Sequence, residues 1–340
     1  MNSDIKKRAP RNRTLQLNSD ERERVSKKLV RPPIRANISL LAGQIICGDS
    51  ISLIGDLPER FVDLLILDCP YNLTKKFGDE NFREKSSREY QQWFESWFVR
   101  VLPLLKTCGS LYVCGDWKSS AAIFNVLDRH VIIRNRITWE REKGRGANAN
   151  WKNASEDIWF ATLSNDYYFN VEAVKLKRRV LAPYRENGRP KDWDETGNGD
   201  FRLTHPSNFW TDLTVPFWSM PENTDHPTQK PEKLFAKLLL ASSRENDLVF
   251  DPFLGSGTTA AVAEKLNRRF LGIERDETYA CLALKRVELA KQDRSIQGYA
   301  NGVFWERNTL SVQMKQAQPD MILQPDFLES AACHAKGNRL

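Results

Sequence analysis

The stretch NDLVFDPFLGSGTTAAVAEKLNRRFLGIERD, residues 246–276, decides the fold class. An apolar strand ends on Asp251, a turn carrying Gly255 and Gly257 opens a helix, and a second strand ends on Glu274. Glycines at such a turn permit backbone conformations and close approaches that a side chain would block. An acid closing the following strand can accept hydrogen bonds from ribose hydroxyls, the logic of nucleoside-binding α/β folds. No Gly-Lys-Ser/Thr follows, so this is not a phosphate-binding Walker loop, and the three-glycine dinucleotide fingerprint is incomplete. A cofactor with a nucleoside but no essential pyrophosphate fits this pattern.

Working outward, short apolar runs at 62–67, 111–114, 132–138, 248–250 and 270–273 suit buried strands. Helical patterns lie between them. Residues 87–106 set Trp93, Trp97, Val101, Leu104 and Leu105 on one face, and 116–129, 231–243, 257–266 and 277–292 complete the set. Strands alternating with helices of this length indicate an α/β protein with a mostly parallel sheet covered on both faces. Residues 173–224 break the rhythm with RENGRPKDWDETGNGDFR (185–202), which reads as a loop-rich insertion resting on the core. Patterning is weak beyond residue 297, and no internal repeats occur.

The 340 residues allow one large core or a core with a sizeable insertion. No apolar run is long enough for a membrane span, and the N-terminus lacks the apolar centre of a secretory signal. Six cysteines (47, 69, 108, 114, 281 and 333) show no paired metal-type spacing and read as reduced thiols, which points to the cytoplasm. Charge is uneven. Residues 1–36 hold eleven Lys/Arg against four acids, which equals the whole net charge of +7, so residues 37–340 sum to zero. The first 38 residues therefore read as a basic arm, either solvated or contacting nucleic acid. Two basic stretches lie inside the neutral body. Residues 134–152 include Trp139 and Trp151, and residues 175–191 include Tyr184. Cations mixed with aromatics suit phosphate contact and base stacking.

A second key stretch, LILDCPYNL (65–73), ends an apolar strand on Asp68 and turns through Pro70 into Tyr71. Together Asp68-Cys69-Pro70-Tyr71, HPTQKP (226–231) and DPFLGSGTT (251–259) make the chain resemble the S-adenosylmethionine-dependent DNA amino-methyltransferases. The motif order, catalytic first and cofactor last, resembles the permuted β group of that family, over about residues 43–291. The resemblance implies a seven-stranded Rossmann-like methyltransferase sheet with helices on both faces. It also implies a target-recognition region where the insertion lies. On this reading 39–172 is the catalytic half of the core, 173–224 the target-recognition insertion, 225–296 the cofactor-binding half and 297–340 a C-terminal extension.

Carried over residue by residue, the resemblance has Asp68 and the carbonyl of Cys69 accept the hydrogens of the target amine. Pro70 shapes the turn, and Tyr71 stacks on a base that has left the duplex. Asp251, Phe253, Gly255 and Gly257 would line the methionine and adenosine pocket, and Glu274 would bind the ribose. Thr228, Gln229 and Lys230 would belong to the methionine end, and Asp49, just before the first strand, would border the adenine. Asp49 also reads as a helix N-cap with Ser50, and His226 as a buried, satisfied histidine. The family usually carries Asp-Pro-Pro-Tyr, and Cys69 replaces its first proline. The acid at Asp68, where cytosine-N4 enzymes usually carry serine, favours adenine N6. Cytosine N4, or a DNA-binding protein without turnover, remain alternatives. Double-stranded DNA is the implied partner, with either a cognate restriction endonuclease or action as an orphan modifier, and a homodimer, as further expectations.

Overall fold

The computed structural model describes residues 9–34, 37–77, 80–141, 151–180, 184–196, 199–309 and 313. Two compact units divide the chain, Met1–Arg307 and Asn308–Leu340, and the fold described belongs to the first. Parts of both basic stretches, and 310–312 and 314–340 of the C-terminal extension, lie outside the described residues. No described helix is long and apolar enough to cross a membrane.

Eight strands form the central sheet: β1 (Gln44–Cys47), β2 (Val62–Leu67), β3 (Leu105–Gly115), β4 (Ile132–Glu140), β5 (Ser155–Thr162), β6 (Phe209–Trp210), β7 (Leu248–Asp251) and β8 (Arg269–Glu274). Their order is β1-β8-β7-β2-β3-β5-β4-β6. β1 to β3 pair in parallel through β8, β7 and β2, and β5 runs antiparallel to both β3 and β4. Seven strands belong to the core and the two-residue β6 comes from the insertion, pairing parallel to β4. The first strand is β1, so Asp49 follows it instead of preceding it.

Alternation along the strands builds two cores. Leu64 and Ile66 of β2 face one side with Val249 and Phe270, while Leu65 and Leu67 face the other with Leu111, Val113 and Phe250. Helices α2 (Ser87–Val101) and α3 (Trp117–His130) cover the second face with Phe94, Trp97, Phe98, Ile123 and Val126. Helices α4 (Glu232–Ser242), α5 (Thr258–Lys265) and α6 (Glu277–Gln292) cover the first with Leu234, Leu238, Val262, Ala283 and Val287. The helix expected over 87–106 is shorter than its apolar pattern. A capping box of Ser86 and Glu89 starts it, Leu102–Leu104 tighten into a 3-10 turn around Pro103, and Leu105 already opens β3.

Two regions depart from the sequence reading. The insertion is less loop-like than its composition: Asp194–Thr196, Gly199–Thr204 and Leu176–Arg179 form a sheet completed by Val303–Trp305 and Tyr299–Ala300. The described part of the basic arm is packed. Its helix α1 (Ser19–Ser26) buries Val25 completely and lies on α6 through ion pairs of Glu21 with Lys285 and of Arg24 with Glu288. The capping box of Asn18 and Glu21 explains why a helix starts in so polar a segment.

Candidate functional site

The strand order β1-β8-β7-β2 is what builds the site. In parallel strands the carboxyl ends share one sheet edge. That edge therefore carries Asp49 just after β1, Glu274 at the end of β8, Asp251 at the end of β7 and Asp68 just after β2. A cavity of about 660 Å³ opens along them, within the size range of small-molecule sites. Every candidate catalytic or cofactor-binding residue read from the sequence lines it except Gly257.

The two glycines divide their work. Gly255 has φ +55°, and a Cβ there would come within 3.1 Å of the His226 ring, so the residue keeps the cavity wall clear. Gly257 has φ +82°, and its Cβ would meet Ala283 at 2.5 Å. It serves close packing of α5 on α6, not the wall. His226, expected to be an inert buried histidine, lines the cavity with its ring against Tyr279, 4.5 Å between centroids.

The acids at the cofactor end shape their own loops. Asp251 is 2% exposed and accepts from the Phe253 N–H at 2.9 Å and the Thr259 hydroxyl at 2.6 Å. Burial pushes its carboxyl up to about 7, against the pull of those two donors. Glu274 accepts from the Gly255 N–H and the Asp276 N–H, both at 2.8 Å, one on each carboxylate oxygen. Burial raises it as well, the two N–H groups opposing. Each of its oxygens keeps a lone pair for a diol. Asp49 caps the turn Ser50–Leu53 by accepting from the Ser52 N–H at 3.1 Å, so the capping and cavity-lining readings hold together. Ser50 donates its hydroxyl to the Pro252 carbonyl and pins that turn to the glycine loop. Phe253 sets its ring edge-on to Trp97, centroids 4.9 Å apart.

The Asp68 end is an electrostatic cluster. Lys230, 4% exposed in its side chain, donates to both Asp68 oxygens at 2.8 and 2.9 Å. It also lies 3.4 Å from Glu156 of β5. The Tyr71 hydroxyl sits between the same two carboxylates, 3.1 Å from Asp68 and 3.0 Å from Glu156. Arg141 completes the group 2.6 Å from Glu156. Burial alone would lower Lys230, but Asp68 and Glu156 outweigh it and raise the ammonium above its ordinary value. Two acids and two bases balance, which is what makes such burial tolerable. The Lys230 ammonium, assigned by resemblance to the methionine end, lines the cavity and is committed to Asp68 and Glu156. Gln229 is turned inward: it accepts from Thr224 and donates to the Glu222 carbonyl, holding the loop before α4.

The Asp68–Tyr71 turn is fixed from behind. Tyr90 of α2, fully buried, donates to the Pro70 carbonyl at 3.0 Å. The Asn72 N–H donates to the Ser119 hydroxyl at 3.0 Å, and Asp116 anchors Ser119. Burial pushes the Cys69 thiol up to about 12, so it is no nucleophile near neutral pH. Glu156, Tyr90, Arg141 and Tyr279 were not legible as site residues. Of these only Glu156 carried a signal, an acid inside the apolar run SEDIWFAT.

The sequence profile of the family described as DNA methylase, covering N6-adenine and N4-cytosine enzymes, matches residues 62–285. The type II methyltransferase M.HpaI of Haemophilus parainfluenzae is 30% identical over 250 residues, 72% of this chain and 74% of that protein. The DNA adenine methyltransferase YhdJ of Escherichia coli K12 is 30% identical over 299 residues, 83% of this chain and 95% of that protein. Among solved structures, the cytosine-N4-specific PvuII DNA methyltransferase shares the fold at a TM-score of 0.53 and 21% identity, over 72% of this chain and 85% of that one. The M1.HpyAVI–SAM complex does so at 0.50 and 23%, over 72% and 98%. A sheet edge bearing a nucleoside-type pocket at one end and a clamped acid at the other fits the cofactor of these enzymes: the chain belongs to the DNA methylase family, whose members use S-adenosylmethionine to methylate amino groups of DNA bases.

Proposed function

We propose that the chain methylates adenine N6 at a specific sequence in double-stranded DNA, acting on a base turned out of the helix. The observation that carries this reading is the Asp68–Cys69–Pro70–Tyr71 turn at the end of the cofactor cavity, with a carboxylate where an acceptor for the amine is needed. The kinship with the adenine methyltransferase YhdJ supports the choice of base. The relative M.HpaI, named as a type II methyltransferase, favours a modification enzyme working beside a restriction endonuclease.

When bound, the cofactor supplies an electrophilic methyl group on a sulfonium. The chain's residues do the rest by positioning. Glu274 offers lone pairs to the ribose hydroxyls while its other contacts hold the glycine loop. Asp49 borders the adenine, Phe253 forms an apolar wall, and the backbone at Gly255 and the Thr228 side chain bound the methionine end. An aryl amine is a poor nucleophile because its lone pair is delocalised into the ring. Acceptors on its two hydrogens, the Asp68 carboxylate and the Cys69 carbonyl, favour a tetrahedral nitrogen with its lone pair directed at the methyl carbon. Lys230 and Tyr71 hold Asp68 still, so little reorganisation is needed on the way to the transition state. The Tyr71 ring offers its face to the base, which must leave the duplex to be reached.

The test is incubation of unmethylated genomic DNA with the protein and S-adenosylmethionine, followed by nucleoside analysis and mapping. N6-methyladenine at one recurrent short sequence is expected, falling by at least about a hundredfold in Asp68→Ala. N4-methylcytosine would overturn the choice of base, and full activity in Asp68→Ala would overturn the site.

A further inference from the structure

The N-terminal segment lies outside the stretch matched by the family, which begins at residue 62, yet it is built into the walls of the cofactor cavity. Its first part pairs with the chain just ahead of His226. The Arg13 N–H donates to the Trp218 carbonyl at 2.6 Å and the Leu15 N–H to the Asn223 carbonyl at 2.8 Å. Asn223 donates to the Thr14 hydroxyl at 2.7 Å, and Gln16 donates to Asp225 at 3.1 Å. Next, α1 lies along α6, where Lys285 donates to both Glu21 oxygens at 2.8 Å and Arg24 and Lys28 share Glu288. Finally Val30 adds to the edge strand β1, donating to the Ile45 carbonyl at 3.0 Å and accepting from the Cys47 N–H at 2.8 Å. The three anchored pieces are three walls of one site: the run into His226–Lys230, the first turn of α6 with Thr278 and Tyr279, and β1 leading to Asp49.

From α1 one side chain, Arg22, lines the cavity itself. Its neighbours Arg24, Lys27, Lys28 and Arg31 are all ion-paired. Arg22 has no hydrogen-bonded or ion-paired side-chain partner among the described residues. Around it the cavity is acidic, with Asp49, Asp251, Glu274 and Asp276 in its lining and Glu277 beside them already paired with Arg31. The buried cation Lys230 is committed to Asp68 and Glu156, and Arg275 is already engaged. S-Adenosylmethionine carries a sulfonium and an ammonium, which acids attract, and one anionic group, its carboxylate, which an acidic lining disfavours unless a cation faces it.

We infer that residues 13–30 form a strap completing the cofactor site, and that Arg22 binds the cofactor's carboxylate. This rests on the reading of the cavity as the S-adenosylmethionine site. It assigns the described part of the basic segment to the cofactor, not to DNA phosphates. A guanidinium presents a planar fork that matches a carboxylate with two hydrogen bonds.

The test titrates full-length wild type and Arg22→Gln calorimetrically with two ligands. S-Adenosylhomocysteine keeps the carboxylate, and 5′-methylthioadenosine lacks the amino-acid group while keeping the nucleoside thioether. Arg22→Gln is expected to weaken S-adenosylhomocysteine about tenfold and leave 5′-methylthioadenosine unchanged, with partial recovery in Arg22→Lys. Equal affinity of both proteins for S-adenosylhomocysteine overturns the inference. So does a loss of DNA affinity in Arg22→Gln with a salt slope smaller by about one, which marks a phosphate contact. If wild type binds neither nucleoside, the reading of the cavity falls and the inference with it.

Discussion

Cys69 stands where the family has a proline, and its surroundings show how the turn keeps its shape. The side chain is 2% exposed, with its sulfur 3.8 Å from the Tyr90 hydroxyl. That hydroxyl also holds the Pro70 carbonyl, so the torsional freedom a cysteine adds is offset by a hydrogen bond from α2. The thiol, pushed up to about 12, stays protonated at pH 8. A thiol reagent at that pH is expected to label the exposed Cys108 and spare Cys69, as peptide mapping would show. Cys69→Pro should hold kcat within about threefold, a barrier change of about 0.65 kcal/mol, whereas Tyr90→Phe should lower it further. Rapid labelling of Cys69 would contradict this account. Asp68, Asp251 and Glu274 stood out because each closes an apolar run, and a strand end fixes where a side chain emerges; Tyr71 stood out only through the motif it shares with the family. Glu156 and Arg22 did not, because the contacts that bring each to the cavity span long stretches of chain: Tyr71 stands 85 residues before Glu156, and α1, which carries Arg22, meets α6 across about 260 residues.

Helix α4 shows the same limit at the scale of an element. Its sequence, EKLFAKLLLAS, places Lys233 and Lys237 one turn apart, a spacing that usually marks a solvated face. Both are buried, at 7% and 2% exposure. The helix existed in the sequence pattern; its environment did not, because the covering groups come from elsewhere. Asp212 of the insertion lies 2.7 Å from Lys233 and 2.6 Å from Lys237. Lys233 also donates to the carbonyls of Asp212 and Trp305, while Lys237 sits over the Trp210 and Phe304 rings. One buried carboxylate thus ties the insertion and the strand Val303–Trp305 to the core. Removing it strands two ammonium groups away from water, which costs about 3–5 kcal/mol for a broken buried pair. Asp212→Asn is expected to lower Tm by at least about 5 °C and to weaken DNA binding while S-adenosylhomocysteine binding persists. An unchanged Tm would mean the carboxylate is not the anchor.

At the scale of the molecule, the net charge of +7 sits formally in residues 1–36, and a free arm of that charge would dominate binding to DNA. The described fold divides it differently. Arg24 and Lys28 share Glu288, whose carboxyl is held down to about 2 chiefly by the Arg24 hydrogen bond, against burial, and Arg31 pairs with Glu277. A cation already neutralised by a carboxylate releases no counterion from DNA when it binds, so it adds little to the salt dependence. The insertion offers exposed cations instead, Arg179 on its five-stranded sheet and Arg189 on a separate two-stranded hairpin (Arg185–Glu186 with Arg189–Pro190), both in the stretch read as the target-recognition region. If that region grips the duplex, the slope of log affinity against log salt should fall by about 0.9 for each of Arg179→Gln and Arg189→Gln. The triple substitution of Arg24, Lys28 and Arg31 by Gln should leave the slope unchanged and lower Tm by a few degrees, since exposed pairs contribute about 0–1 kcal/mol each. Fluorescence anisotropy of a labelled duplex over a salt series measures both. A slope reduced by the triple substitution and untouched at Arg179 and Arg189 would return the DNA-binding role to the N-terminal segment, and would count against a cofactor strap as well, because α1 cannot both lie against α6 and follow the phosphate backbone.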